Sequence, residues 1–148
     1  NWDTEQAREV DVIQGASLIL RRTALNQVGL LDDTYFMYTE EVDLCYRLQK
    51  SGWSLYWVPH SKVIHYGGQS TQQVAVKMFL CLYESKLIFI RKHYGWLAAQ
   101  IYKLTLIIAS LMRLALSPLA LLEKPTTRQR HLNLAHNYRR LLTALPKM

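Results

Sequence analysis

Three carboxylates fall within four positions in Glu40-Glu41-Val42-Asp43, and eighteen residues beyond Arg47 the chain supplies an imidazole, His65. Closely spaced acids can provide a general base that takes a proton from an attacking hydroxyl, and a histidine can ligate a metal ion or shuttle a proton. Tyr35, Phe36, Tyr38 and Tyr46 crowd the acids. Aromatic rings there offer a stacking face for a sugar and an apolar wall that raises a base's pKa. Each feature also has a plain structural role, which fits it better when it is taken alone. Two acids in the first turn of a helix complement its dipole, and Asp43 with Arg47 has the i, i+4 spacing of a surface ion pair. His65 suits a buried position between Ile64 and Tyr66, Gly15-Ala16 suits a strand irregularity, and Trp53 and Trp57 suit a core.

The elements that would position these groups read as α/β up to about residue 70. Val10 to Leu20 is β-branched and leucine-rich, which predicts a buried strand interrupted at Gly15. Thr23 to Val28 predicts a short helix stopped by Gly29. Leu30 to Tyr38 is a loop carrying Asp32 and Asp33. A second helix starts at Thr39 as N-cap, places Glu40 and Glu41 in its first turn and Val42, Cys45 and Leu48 on one apolar face, and ends at Gly52. Ser54 to Val58 reads as a strand closed by Pro59, and Lys62 to His65 is extended up to the Gly67-Gly68 turn.

Beyond Ser70 the period becomes helical. Thr71 to His93 forms one helix, ended by Gly95, and Thr126 to Leu145 forms the last. Between them Trp96 to Leu122 is rich in Leu, Ile and Ala. Its polar residues Gln100, Lys103, Ser110, Arg113 and Ser117 share an arc of roughly 140°, which makes it amphipathic. Two regions follow: residues 1–70, and a helical, basic tail over residues 71–148.

Half of the 148 residues are hydrophobic, enough for a real core. Cys45 and Cys81 form no CxxC pair, so a disulfide framework and a zinc knuckle are both disfavoured and a reducing compartment is expected. The net charge of +7 is uneven. Residues 1–84 hold 7 Lys/Arg against 10 Asp/Glu, a net −3, whereas residues 85–148 hold 11 Lys/Arg and only Glu123, a net +10. The basic half therefore suits an anionic partner. Its cations are spread over leucine-rich helices without a recognition motif, so nucleic acid is not the expected partner. The chain opens on Asn1 with no signal peptide before its first strand-like run, so it reads as a fragment.

Taken in order, Val10-Asp11, Gly15-Ala16, Leu20-Arg21-Arg22, Val28-Gly29-Leu30-Leu31-Asp32, Tyr35 through Arg47, Gly52-Trp53, Val58-Pro59 and His65-Tyr66-Gly67-Gly68-Gln69-Ser70 carry a resemblance. The set resembles the second half of the catalytic domain of bacterial family-2 glycosyltransferases, especially the rhamnosyltransferase-like members that build cell-surface polysaccharides. It covers about residues 10 to 70. The resemblance implies the C-terminal half of a GT-A (Rossmann-like) glycosyltransferase domain, here followed by an all-α amphipathic tail. The family's nucleotide-binding half, with its Asp-x-Asp metal motif, has no counterpart in the sequence, and Asp32-Asp33 lies in the wrong place for it.

Position by position, the resemblance implies that Glu41 is the general base where family members usually carry Asp, with Glu40 in reserve because the pair here is Glu-Glu. It implies His65 as a metal ligand, and Gly15, Ala16, Asp43 and Arg47 as substrate-binding or site-shaping residues. The reaction implied is inverting transfer of a sugar from a nucleotide-diphosphate donor to a hydroxyl of a glycan or lipid-linked acceptor. Its divalent cation would be Mn²⁺ or Mg²⁺. The chain alone is expected to be inactive. The amphipathic segment, with Lys103 and Arg113 on its polar side and Trp96 and Tyr102 near the headgroups, predicts contact with an anionic membrane surface. That places the protein at the cytoplasmic face of the bacterial inner membrane, peripheral rather than spanning, since two cations and a proline make a poor span. The competing reading is a non-catalytic membrane- or partner-binding module with a degenerate sugar-binding remnant.

Overall fold

In the computed structural model, residues 5–66, 74–122 and 124–148 are described. The chain divides into two compact units, residues 1–72 and 73–148. Helix dominates, and the strands form one two-stranded antiparallel sheet among the described residues.

In the first unit β1 (Arg8–Glu9) pairs with β2 (Tyr56–Trp57), Arg8 opposite Trp57 and Glu9 opposite Tyr56. The Val10 N–H extends the pairing by donating to the Leu55 carbonyl at 2.9 Å. Two helices pack beside it, α1 (Arg22–Val28) and α2 (Glu40–Lys50). Ala24 from α1, Leu44, Cys45 and Leu48 from α2, and Leu55 form the core, with Val10, Ile13, Leu20 and Trp53 packed around them. The inward face of α2 thus includes Leu44 as well as the expected Cys45 and Leu48. Past its last turn the Gly52 N–H donates to the Gln49 carbonyl and the Trp53 N–H to the Leu48 carbonyl, both at 3.0 Å. That double closure requires the positive φ of 84° at Gly52. Trp53 is partly buried and packs against this core, whereas Trp57, also expected in a core, is outside it; the Trp53 ring N–H donates to Gln27 Oε1 at 2.9 Å.

The expected buried strand from Val10 to Leu20 is not formed. Residues 10–20 are irregular, Gly15 and Ala16 lie in an exposed turn, and Ile19 is 97% exposed. A strand needs a neighbour to satisfy its N–H and C=O groups. Among the described residues β2 is the neighbour on offer, and it pairs with Arg8–Glu9. Likewise Ser54 to Val58 contracts to two ladder residues, and Lys62 to His65 has no regular structure. Gly67-Gly68, Gln69 and Ser70 lie outside the described residues.

The second unit is helical throughout its described residues. The long helix α3 (Ala75–Leu116) is broken at Gly95, whose φ of 88° and ψ of 175° are open to glycine and almost nothing else. A 3₁₀ stretch (Ser117–Leu122) leads on, and α4 (Pro125–Ala144) carries proline in its first turn, where a missing N–H costs nothing. Leu106 of α3, Leu141 of α4 and Leu145 form the buried cluster, surrounded by Phe79, Tyr83, Tyr102, Ile107 and Tyr138. Phe79 meets Tyr83 and Tyr138 edge-on, with centroids 4.9 and 5.4 Å apart. Tyr102, expected near lipid headgroups, is instead part of this packing.

Candidate functional site at the start of the second helix

The chain enters α2 through two consecutive left-handed residues, Tyr38 (φ 67°) and Thr39 (φ 71°). For residues with a Cβ this backbone costs roughly 1–2 kcal/mol each, and a β-branched residue there is an outlier. Thr39 occupies the expected N-cap position, yet its side chain makes no capping hydrogen bond, because the left-handed turn replaces the extended cap geometry. Its carbonyl still accepts the first helical bond, from the Asp43 N–H at 2.8 Å.

Directly after this strained pair stand Glu40 and Glu41. Each keeps one carboxylate oxygen, Oε2, buried and without a hydrogen-bond partner. An unsatisfied buried acceptor costs on the order of 1–3 kcal/mol, and more when charged, so two adjacent ones are unusual in a folded chain. The positive end of α2 offsets part of this cost. Strained backbone at Tyr38 and Thr39 is therefore followed at once by orphaned acceptors on Glu40 and Glu41.

Asp43 sits one turn deeper and is fully buried. Tyr35 donates its hydroxyl to Oδ1 at 3.2 Å, and Arg47 donates Nε to Oδ2 at 2.7 Å. Burial, then the charge of Asp43, push the Tyr35 hydroxyl above its ordinary value of 10.0, so it remains a donor through the neutral range. Arg47 spends its other nitrogens on the backbone, Nη1 on the Val28 carbonyl and Nη2 on the Leu30 carbonyl at 2.7 Å. The Asp43–Arg47 pair thus ties α2 to the end of α1 and the following loop.

Gly15 approaches Glu41 closely. A Cβ placed on it would lie 3.6 to 3.9 Å from the Glu41 side chain. The irregular 10–20 stretch thereby lies against Glu41, and a hydrogen at position 15 leaves the flank of that side chain open. The Cys45 thiol touches the same stretch, 3.9 Å from the Ile13 carbonyl, and burial holds it above its ordinary value of 9.0. It is a core thiol, not a nucleophile. Of the aromatic residues, Tyr35 is buried against Asp43 and is no stacking platform, whereas Phe36 is 72% exposed.

His65 is exposed at the end of the first described stretch. Among the described residues no group of three or more His, Cys, Asp or Glu side chains is placed to hold a metal ion. One imidazole is not a cation site, so the described residues do not fit a divalent ion by themselves. A groove of about 850 Å³ lies beside Glu5, Trp57, His60 and Lys62, and neither Glu40 nor Glu41 lines it.

The acids are visible in the sequence as a cluster, but Tyr35 as the partner of Asp43 and the left-handed pair at 38–39 are not. No propensity signals such a backbone at Tyr-Thr.

Over 90 residues, or 60% of this chain, the sequence is 40% identical to the N-acetylglucosaminyl-diphospho-decaprenol L-rhamnosyltransferase of Mycobacterium tuberculosis. This stretch is related to the rhamnosyltransferase-like glycosyltransferases. The rhamnosyltransferase WbbL of Escherichia coli is 36% identical over 70 residues, covering 47% of this chain and 26% of that protein. The low-salt glycan biosynthesis hexosyltransferase Agl10 of Haloferax volcanii is 33% identical over 43 residues, 29% of this chain and 14% of that protein. The chain spans 29% of the length of the mycobacterial relative. No family model and no solved structure matches it significantly.

Proposed function

We propose that this chain is the base-bearing part of an inverting glycosyltransferase, which moves a sugar, rhamnose in the favoured case, from a nucleotide-diphosphate donor to a hydroxyl of a glycan or lipid-linked acceptor. The observation that carries the reading is the pair of unsatisfied carboxylate oxygens at the strained entrance to α2. The relatives' names favour rhamnosyl transfer and, in the mycobacterial case, a lipid-linked acceptor, while the nucleotide-diphosphate donor comes from the family resemblance. In the proposed step the acceptor oxygen attacks the anomeric carbon from the side opposite the diphosphate. Its proton passes to a Glu41 carboxylate oxygen as the bond to the diphosphate breaks. Such a base contributes on the order of 10² to 10⁴ in rate. Glu40 is the reserve.

The first unit is, in this reading, the C-terminal half of a GT-A domain. The exposed Val12 and Ile19, on a stretch patterned for burial, support it: further chain would give that stretch strand neighbours and a cover. The Mn²⁺ or Mg²⁺ ion implied by the family resemblance would need ligands other than the described ones beside His65. No step is routed through it. We also place the protein at an anionic membrane surface, peripherally and on the cytoplasmic face, where a lipid-linked acceptor would be met. The apolar length of α3 and the basic charge of the second unit support this.

The test is Glu41→Gln in the full-length enzyme, with Glu40→Gln beside it. Transfer should fall by on the order of 10² to 10⁴ for Glu41→Gln with donor binding retained. Unchanged turnover would remove Glu41 from the role.

A further inference from the structure

The apolar segment of the second unit is turned outward. Leu97, Ile101, Leu104, Ile108 and Leu111 recur at alternating spacings of four and three, and each is 50–66% exposed. Met112 and Leu119 extend the stripe. On a wheel of roughly 100° per residue it lies opposite the face holding Ala99, Leu106 and Ser110, which are buried. Lys103 and Arg113, the charged residues between Trp96 and Leu119, belong to that inner side and are half-buried. Ser110 is accommodated inside because its hydroxyl donates to the Leu106 carbonyl at 2.6 Å. The outer face is therefore free of charge over about 30 Å of α-helix from Trp96 to Leu116, at 1.5 Å per residue. A contiguous apolar surface of this kind marks an interaction site.

Charge decides the occupant. Residues 73–148 hold 12 Lys/Arg against Glu84 and Glu123, a net +10. Arg91 and Lys92 precede the stripe in sequence and Lys124 follows it. A second copy would bring +10 against +10, whereas an anionic bilayer offers hydrocarbon to the stripe and phosphate to its flanks. A span is disfavoured by α4. It packs on the same helix through Leu141 and carries the exposed Arg139 and Arg140, which would be drawn into hydrocarbon.

We propose that the helix from Trp96 to Leu116 lies in the plane of an anionic membrane with the Leu97-Ile101-Leu104-Ile108-Leu111 stripe inserted, and that its polar arc faces inward to α4. This rests on the membrane reading above and names the surface responsible. The break at Gly95 lets this segment take its own direction from residues 75–94. Trp96, 64% exposed, stands at the interfacial end.

The experiment is co-sedimentation of the full chain with vesicles of phosphatidylglycerol mixed with phosphatidylcholine, against pure phosphatidylcholine, at low and high salt. Leu104→Glu/Ile108→Glu is compared with Ile19→Glu as an exposed apolar control, and each variant's fold is checked by circular dichroism. The unaltered chain should bind the anionic vesicles, less so at high salt. The double variant should lose roughly tenfold or more in partitioning while the control does not. No binding of the unaltered chain overturns the membrane reading and this inference together. Binding that the double variant retains overturns the inference alone. A lipid-independent dimer that the double variant abolishes, with vesicle binding unchanged, shows that the stripe is a self-association surface and also overturns it.

Discussion

The two units break opposite rules of protein architecture. The first buries what should be wet: Asp43 is fully enclosed, Glu40 and Glu41 each hide an unsatisfied oxygen, and two residues with side chains adopt left-handed backbone beside them. The second exposes what should be dry, lining one helix face with leucine and isoleucine while Ser110 and half of Lys103 and Arg113 turn inward. The first unit also exposes apolar side chains, such as Ile19 and Leu30, but they are scattered over irregular segments. In the second they fall in register along one helix. Free energy stored around unsatisfied carboxylate oxygens suits chemistry, whereas free energy left in an uncovered surface suits docking.

The contrast can be tested by stability. Arg47→Met leaves Asp43 buried without its cation and releases the Val28 and Leu30 carbonyls. It should cost about 3–5 kcal/mol in urea unfolding of the first unit, with Asp43→Leu/Arg47→Met recovering much of the loss. A single variant within about 1 kcal/mol of the parent would mean that the pair is not holding α2. In the second unit the corresponding anchor is apolar: Leu141→Ala, fully buried against Leu106 and Leu145, should cost about 2–5 kcal/mol by cavity formation. No rise in vesicle binding is expected from that loss.

Smaller effects separate backbone from packing. Around Gly95 an added Cβ meets nothing within 4 Å, so Gly95→Ala should cost only the backbone term of roughly 1–3 kcal/mol, read as a lower melting temperature. A much larger drop would reveal packing at the break. The smallest expected change has the opposite sign. Thr39→Gly relieves a left-handed β-branched residue and should stabilise the first unit by up to about 1 kcal/mol while weakening the proposed transfer by the full-length protein. Destabilisation there would show that the Thr39 side chain, not strain, sets the entrance.

Local order in this chain was largely legible from residue types. Helices ending at Gly29 and Gly52, the break at Gly95, and the acids in the first turn of α2 all follow from short-range sterics and the helix dipole, which need no distant partner. The strand expected over 10–20 did not form, because a strand is satisfied only by a neighbour and β2 is spent on Arg8–Glu9. Among site residues Glu40 and Glu41 were visible as a pattern, but their unsatisfied oxygens and the approach of Gly15 to Glu41 were not.

Sequence by itself therefore determined where helices start and stop, which acids cluster, and that a basic half follows an acidic one, since these depend on neighbours within a few bonds or turns. Only the tertiary structure decided that Asp43 serves Arg47 and Tyr35, that Glu40 and Glu41 each keep a buried acceptor unsatisfied, and that the apolar side of residues 96–116 faces out. Those outcomes turn on which surfaces meet across dozens of residues, and an amphipathic pattern defines two faces without saying which one is covered.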